Sequence, residues 1–540
     1  MKSIEDILPK TEIDTEFKIP PRTSLFSGAM VRWFSMGVSI VLGLLVTPII
    51  IRTLGDESYG LWGLAASFLG FYGLFDFGLS SAVSRFFGNA VGAKDLVQFN
   101  RIASTGRSLL AVASLSIIVF ACLIIKPAQS ILHIPQQHIE EFNLLVILSS
   151  VNVVISMMMS IYSGALLASE DYVFMTFVDT LTNITRSLAG VAVVLAGKGV
   201  VGFAAVNVVA SALQQCVIFL RCRKRFPQMK AGFTHFDFAV ARALIGFGIA
   251  TYVVIIAEIL RSRLDVILVT RFSGLAQAGI YSVALTPFRF ASSAILSMSG
   301  IAWFRLNLLQ GKGDRNEFQT FFLRASHVTA ACASLIAGLF IGLAPLLFRF
   351  WIGKGYDQSA VVLQILLAGY LLDYATNPGV GSLFATAKHK YFAVQTTIEG
   401  MASFTLAFIL GAKYGMKGVA FGIVIPIILI KLTIQPWYVT HNVGIALHSY
   451  WFRVIGMTAL SSGLLTVGLL PIDYCTSRWG WWTFPLIIMV AVTISGVILW
   501  RFLLDRKDRI WFMFNLKKMV GKVISLRDNL KVSSASEITD

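Results

Sequence analysis

Apolar runs of twenty or so residues return along the whole length of this chain, among them 38–51 with its flanks and 200–220. Each is long enough to cross a hydrocarbon core of about 30 Å at about 1.5 Å per residue. A water-soluble core cannot absorb so many helices that are apolar all round. Charged residues make up 14% of the 540 residues, against about 25% in a soluble domain. The expected fold class is an all-α polytopic membrane protein of about fourteen spans. They are placed at 27–51, 59–84, 103–126, 141–168, 173–197, 199–220, 243–271, 277–304, 323–350, 359–385, 391–412, 416–438, 452–471 and 482–504.

The first 22 residues mix charges with prolines and hold no apolar stretch, unlike a secretory signal. The first span is therefore expected to stay in the mature chain. The net charge of +17 could point to nucleic acid, but its distribution points to membrane topology instead. With the N-terminus inside, about two-thirds of the Lys and Arg fall on the cytoplasmic side, as positive-inside loops require. Arg221-Cys222-Arg223-Lys224-Arg225 is the densest cluster, and both termini are expected to be cytoplasmic. No nucleic-acid partner is expected. The five cysteines form neither a C-x-x-C pair nor a metal-ligand spacing, so no metal site is expected.

An internal repeat organises the chain. Gly60-Leu61-Trp62 returns as Gly279-Ile280-Tyr281, an offset of 279 − 60 = 219. The same offset relates Arg52 to Arg271, Gly55 to Gly274, Ala65 to Ala284, Gly92 to Gly311, Asp95 to Asp314 and Phe99 to Phe318. It continues through Ala168 and Ala387, Tyr172 and Tyr391, and Lys198-Gly199-Val200 and Lys417-Gly418-Val419. An even number of spans separates the copies, so both cross the membrane in the same direction. Such parallel repeats place substrate between halves that rock. The expected boundaries are a tail at 1–26, a six-helix lobe at 27–222, a linker at 223–242 and a second lobe at 243–440. Two extra spans follow at 441–505, then a basic amphipathic tail at 506–540, expected to lie on the inner membrane surface.

Arg52-Thr-Leu-Gly-Asp-Glu-Ser-Tyr-Gly-Leu-Trp62, followed by Leu74-Phe-Asp-Phe-Gly-Leu79, Ala82 and Arg85, resembles the polysaccharide-exporter branch of the MOP superfamily. That branch contains the O-antigen and other lipid-linked oligosaccharide flippases; the superfamily also holds MATE drug exporters and lipid II flippases. The resemblance implies a MATE-like fold of two six-helix bundles. It also implies an undecaprenyl-pyrophosphate-linked oligosaccharide as substrate, carried to the outer leaflet of the cell inner membrane for O-antigen, capsule or exopolysaccharide synthesis. The motif residues Gly55, Glu57, Tyr59, Gly60, Trp62, Asp76, Gly78 and Arg85 carry it. Among them, the glycines suit a tight turn and close helix packing. Tyr59 and Trp62 suit an interfacial aromatic belt. Asp76 and Arg85 suit a structural pair near the inner interface.

Charges inside spans are the informative residues, because each costs a few kcal/mol unless it is paired or faces water. In Glu258-Ile-Leu-Arg-Ser-Arg-Leu-Asp265, Glu258, Arg261 and Asp265 share a helical face. Arg263 lies about 200° around the helix from Arg261 and needs an acid from elsewhere or an anionic ligand. A guanidinium fork suits a pyrophosphate, so Arg263 heads the candidate substrate contacts, with Arg289, Arg186, Arg261 and Lys431. Asp179, Glu258, Asp265, Asp373 and Glu399 are the candidates for taking up a coupling proton or sodium ion. No cofactor is expected. No phosphate-binding loop is present, since Gly197-Lys198-Gly199 lacks the upstream glycine and the hydroxyl residue.

This cationic set favours an anionic cargo over a MATE-like antiporter of cations or drugs. A membrane polysaccharide polymerase or ligase is a weaker alternative, because its family carries a long external catalytic loop and the loops here are short. His133 and His138, in the longest of them, read as surface histidines. Membrane lipids, a polymerase and glycosyltransferases are the remaining candidate partners.

Overall fold

The computed structural model describes residues 25–232, 236–476 and 483–498, with Trp500, Arg501, Arg509 and Met513 beyond them. Most of the N-terminal tail and of the basic C-terminal tail, including its expected amphipathic helix, lies outside the described residues. Among the described residues the chain is helical throughout and contains no strand.

In the first repeat, α1 (Leu25–Tyr72) runs into a 3-10 turn at Gly73–Asp76, and α2 (Leu79–Gly92) completes the second span. Then come α3 (Leu96–Leu132), α4 (Ile139–Ala168), α5 (Tyr172–Leu195) and α6 (Gly199–Arg225). In the second repeat, α7 (Phe238–Ser262), α8 (Asp265–Lys312) and α9 (Arg315–Trp351) lead to α10 (Asp357–Ala375) and α11 (Asn377–Ala385). It closes with α12 (His389–Leu432) and α13 (Ile434–Val443). A short α14 (Leu447–Tyr450) leads through a π-helical turn into α15 (Met457–Thr476), and α16 (Thr483–Ile498) follows.

Among the described residues, nine helical segments are long and apolar enough to cross a membrane. Three of them join two of the sequence-derived spans through a glycine: α1 at Gly55, α8 at Gly274 and α12 at Gly415. α5 falls outside the nine because Asp179, Asn183 and Arg186 make it polar, and α16 because it is short.

The repeat predicted by the offset is present in the backbone. Gly55 (φ 79°, ψ 169°) and Gly274 (φ 83°, ψ 175°) make the same left-handed kink, 219 residues apart. An L-residue would strain at this φ. α3 and α9 have 37 residues each, and Leu96 to Arg315 and Leu132 to Trp351 are again shifts of 219. Even the caps match: Asp95 accepts from Gln98 N at 2.8 Å, and Asp314 from Glu317 N at 2.9 Å. Several sequence-derived spans are interrupted. The second breaks at the turn Gly73–Asp76, the tenth at Thr376 and the twelfth at Thr433. The seventh, expected at 243–271, breaks at Arg263–Leu264 between α7 and α8.

Prolines within these helices each remove an N–H and strand the carbonyl four residues earlier, which apolar surroundings cannot hydrate. Three of those carbonyls are met by a side chain from another helix. Trp351 Nε1 donates to Leu44 O (2.6 Å) for Pro48, Gln364 Nε2 to Ile341 O (2.9 Å) for Pro345, and Trp451 Nε1 to Leu432 O (3.0 Å) for Pro436.

The chain divides into two compact units. One holds the described residues up to 287, with 351–362 and 393–426. The other holds 288–350, 363–392 and the described residues from 427 onward. In the first, Phe86, Phe87, Phe99, Ile102, Ile161 and Phe226 head a buried apolar cluster drawn from α2, α3, α4 and the end of α6. In the second, Gly338 and Gly342 of α9 leave room for α15: a Cβ there would stand 3.0 Å from Leu465 Cβ and 2.8 Å from Leu469 Cβ. Leu343, Leu346, Leu469 and Ala491 seal the junction with α15 and α16.

Candidate functional site

Within the first unit, α5 turns one polar face along its length. Asp179, Asn183 and Arg186 are four and three residues apart, so they line up over about 10 Å of rise. Each bonds to a neighbouring helix. Gln214 Nε2 donates to Asp179 Oδ1 (2.6 Å), Asn183 Nδ2 to Ser39 Oγ (2.9 Å), and Arg186 Nη2 to Ser211 Oγ (3.1 Å). Both Arg186 and Arg32 act on the Asp179 charge. Asp179 and Arg32 are exposed and Arg186 is partly so. Sequence reasoning missed Arg32, along with the carboxamide and hydroxyl partners. The signal was present, an arginine inside the first apolar run, but α1's fold against α5 was needed to give it meaning.

The same unit holds the acidic and basic run of α7. Arg261 pairs with Glu258, three residues before it, at 3.1 Å and with Glu399 of α12 at 3.1 Å. Glu399 is fully buried and Glu258 half exposed. Gly400 beside it permits the approach: a Cβ there would lie 2.8 Å from Ala257 O. Arg263 occupies the helix break itself, as the cap of α7, its N–H bonded to Ile259 O at 3.0 Å. Its side chain is exposed and enters no ion pair among the described residues. The stem lies over Gly70 of α1, where a Cβ would stand 3.0 Å from Arg263 Cγ and Cδ. Its isolation from Arg261 thus comes from the break and not from a position across a continuous helix. Asp265 opens α8, buried, its Oδ1 accepting from Val266 N at 2.9 Å.

In the second unit, Lys431 and Asp373 form an ion pair of 2.7 Å, both buried. Lys431 Nζ also donates to Gln435 Oε1 (2.7 Å), and Gln435 Nε2 to Thr376 Oγ1 (3.2 Å). Two helix interruptions meet here, α10 to α11 at Thr376 and α12 to α13 at Thr433. Arg289 is exposed on α8 in this unit, two residues past Pro287.

The motif residues are structural parts. Gly55 makes the kink, Tyr59 and Gly60 are buried, and Trp62 meets Phe203 edge-on at 4.8 Å. Glu57 Oε2 lies 2.9 Å from His138 Nε2, whose Nδ1 lies 2.9 Å from Glu141. Asp76 and Arg85 do not pair with each other. Asp76 caps α2 by accepting from Ser80 Oγ (2.6 Å) and N (3.2 Å), Gly78 supplies the left-handed residue (φ 71°), and Arg85 stands 4.7 Å over the Phe247 ring.

Broken, charge-bearing membrane helices in a parallel six-span repeat are the architecture of the MATE-like fold. Residues 27–305 match the family described as "Polysaccharide biosynthesis protein", and the chain belongs to that family. It is 21% identical over 493 residues to the uncharacterized membrane protein EpsK of Bacillus subtilis (strain 168), covering 90% of this chain and 97% of that one. Among solved structures it is similar to the lipid II flippase MurJ in an inward closed conformation. The TM-score there is 0.69 at 18% identity, over 87% of this chain and 99% of that one. An inward-facing multidrug-resistance MATE transporter of the MOP superfamily matches with a TM-score of 0.63 at 15% identity, over 78% and 99% of the two chains. The protein is thus a multi-pass membrane protein of a polysaccharide-biosynthesis family, built on a MATE-like fold.

Proposed function

We propose that the cargo is an undecaprenyl-pyrophosphate-linked oligosaccharide, moved from the inner to the outer leaflet of the cytoplasmic membrane by alternating access. The polar face of α5 carries this reading. Charged side chains do not face lipid, so exposed Asp179 and Arg32, with Arg186, mark water-filled space inside the bilayer. Hydroxyl and carboxamide neighbours (Ser39, Asn183, Ser211, Gln214) suit a sugar, which is read by hydrogen bonds. Arg263, seated over Gly70 and outside the ion pairs of its neighbours, suits the pyrophosphate, because a guanidinium offers parallel donors to phosphate oxygens.

Energy coupling goes to the carboxylates already tied to cations. Proton or sodium uptake at Asp373 or Glu399 would weaken the tie to Lys431 or Arg261, which links an ion gradient to helix position. O-antigen, capsule and exopolysaccharide precursors share the pyrophosphate and polyprenyl parts, so the sugar is the variable element. A polymerase or glycosyltransferase is the candidate partner for delivery and removal.

The test uses sealed vesicles with a fluorescent undecaprenyl-pyrophosphate oligosaccharide on one leaflet and a membrane-impermeant glycosidase on the other. Wild type is expected to expose the sugar, and Arg263→Ala and Arg186→Ala to slow this at least about tenfold, the loss of roughly one charge-assisted contact. No exposure by wild type across several glycans, with cationic dye efflux intact, would replace the flippase by a drug antiporter.

A further inference from the structure

The repeat residues that the transport reading leaves unused lie together at one end of the bundle. Gly55 and Gly274 kink between spans one and two and between seven and eight; His133 follows α3 and Ile352 follows α9. All are connections from an odd to an even span, so all lie at the same membrane face. The basic run Arg221–Arg225 ends an even span and lies at the other.

At this end each repeat reaches into the other with the same arm. Arg52 Nε and Nη2 donate to Ile352 O at 3.2 and 3.0 Å. Arg271 Nη1 lies 2.9 Å from His133 Nδ1, which accepts. Arg52 and Arg271 are related by the offset of 219, and so are His133 and Ile352. The acceptors cap α3 and α9, the equal-length pair, so each guanidinium sits at the negative end of a helix dipole.

Between the arms the helices touch with no side chain in the way. A Cβ on Gly60 would stand 2.1 Å from Leu275 O, and one on Gly279 would stand 2.1 Å from Asp56 O. These are again equivalent positions. Tyr356 adds an unmatched bond, its hydroxyl donating to Asp56 Oδ1 at 2.5 Å. Burial, and the Asp56 carboxylate beside it, push the Tyr356 phenol above its ordinary range, so the proton stays on the donor.

We infer that the Arg-Thr-Leu-Gly-Asp-Glu-Ser-Tyr-Gly motif and its repeat copy form a two-fold latch that holds this face shut, and that both arms release together when cargo leaves. The inference rests on the transport reading, but not on the identity of the sugar. The arms rest on a carbonyl and an imidazole, and both arginines are exposed, so the arms can let go without stranding a buried ion. The Gly–Gly crossing supplies the pivot, since backbones in contact can roll where interlocked side chains cannot.

The test places spin labels at Gln136→Cys and Lys354→Cys, exposed positions beside the two acceptors, in a chain with its five native cysteines replaced. In bilayers the parent should give one short-distance population. Arg52→Gln with Arg271→Gln should move at least half of it to longer distances, while Arg52→Lys with Arg271→Lys should move less. A distribution in the glutamine variant that superimposes on the parent would overturn the latch.

The second arm needs no latch variant: the 136/354 thiols are joined by a short reducible cross-linker. Joining is expected to stop transport at least tenfold and reduction to restore it; full transport while joined would also overturn the proposal. If the parent moves no lipid-linked sugar at all, the cross-link effect is read on the cargo that it does move. The distance shift stands or falls apart from the sugar assignment.

Discussion

Lys431 and Asp373 offer the most quantitative check on this account. The pair is 2.7 Å apart, with side chains 2% and 10% exposed. Replacing Lys431 by Met removes the cation 2.7 Å from the Asp373 carboxylate, in a site where little water reaches it. Removing one partner of a buried pair costs about 3–5 kcal/mol, whereas replacing both by neutral groups is close to neutral. Lys431→Met and Asp373→Asn should therefore each destabilise by about 3–5 kcal/mol. The double variant should stay within about 1–2 kcal/mol of wild type, with Gln435 and Thr376 still bonded to each other. The coupling energy should then reach at least about 3 kcal/mol, well above the fraction of a kcal/mol usual for hydrogen bonds between membrane helices. Reversible unfolding of purified protein in mixed micelles, followed over denaturing detergent fraction, measures all four corners of the cycle. Additive single effects, with coupling below about 0.5 kcal/mol, would show that the two charges do not depend on each other and would refute the reasoning.

Other expected outcomes follow from single contacts. Trp451→Phe strands Leu432 O and should cost about 1–3 kcal/mol in the same assay, while the same change on a Pro436→Ala background should cost much less. Asp76→Ala removes the cap of α2 and should cost about 0.5–2 kcal/mol, with Asp76→Asn nearer wild type because it can still accept from Ser80. Gly60→Leu, whose Cβ would stand 2.1 Å from a carbonyl oxygen, should fail to accumulate in membranes, whereas Gly73→Ala, with open space at its Cβ, should insert normally.

Much of the fold was legible because it rests on periodic, local signals. Long apolar runs gave the helices, and an unchanged offset gave the repeat, down to Gly55 and Gly274 sharing a backbone conformation. The spacing of Glu258 and Arg261 placed them together as well. Glu399 as the second partner of Arg261 was not legible, because a cross-helix contact depends on which faces meet, and nothing in the local pattern encodes that. The same holds for Lys431 with Asp373, and for Trp351, whose indole completes a helix 307 residues away. The break at Arg263 escaped for another reason: no glycine or proline marks it, so its helical periodicity ran on unbroken in the sequence. Arg32 was hidden by company, a single charge at the margin of an apolar run.

The reciprocal arms have the logic of an isologous dimer, in which residue i of one partner meets residue j of the other and j meets i. Here both partners sit on one covalent chain, so the symmetry is free to decay, and it has begun to. Tyr356 reaches Asp56, but the equivalent positions, Gln137 and Leu275, cannot reproduce that bond. In a true dimer one mutation would alter both arms at once and change the closing energy in steps of two. In the fused chain each arm can be weakened alone. That face can therefore be tuned in smaller increments than its homodimeric counterpart could ever be.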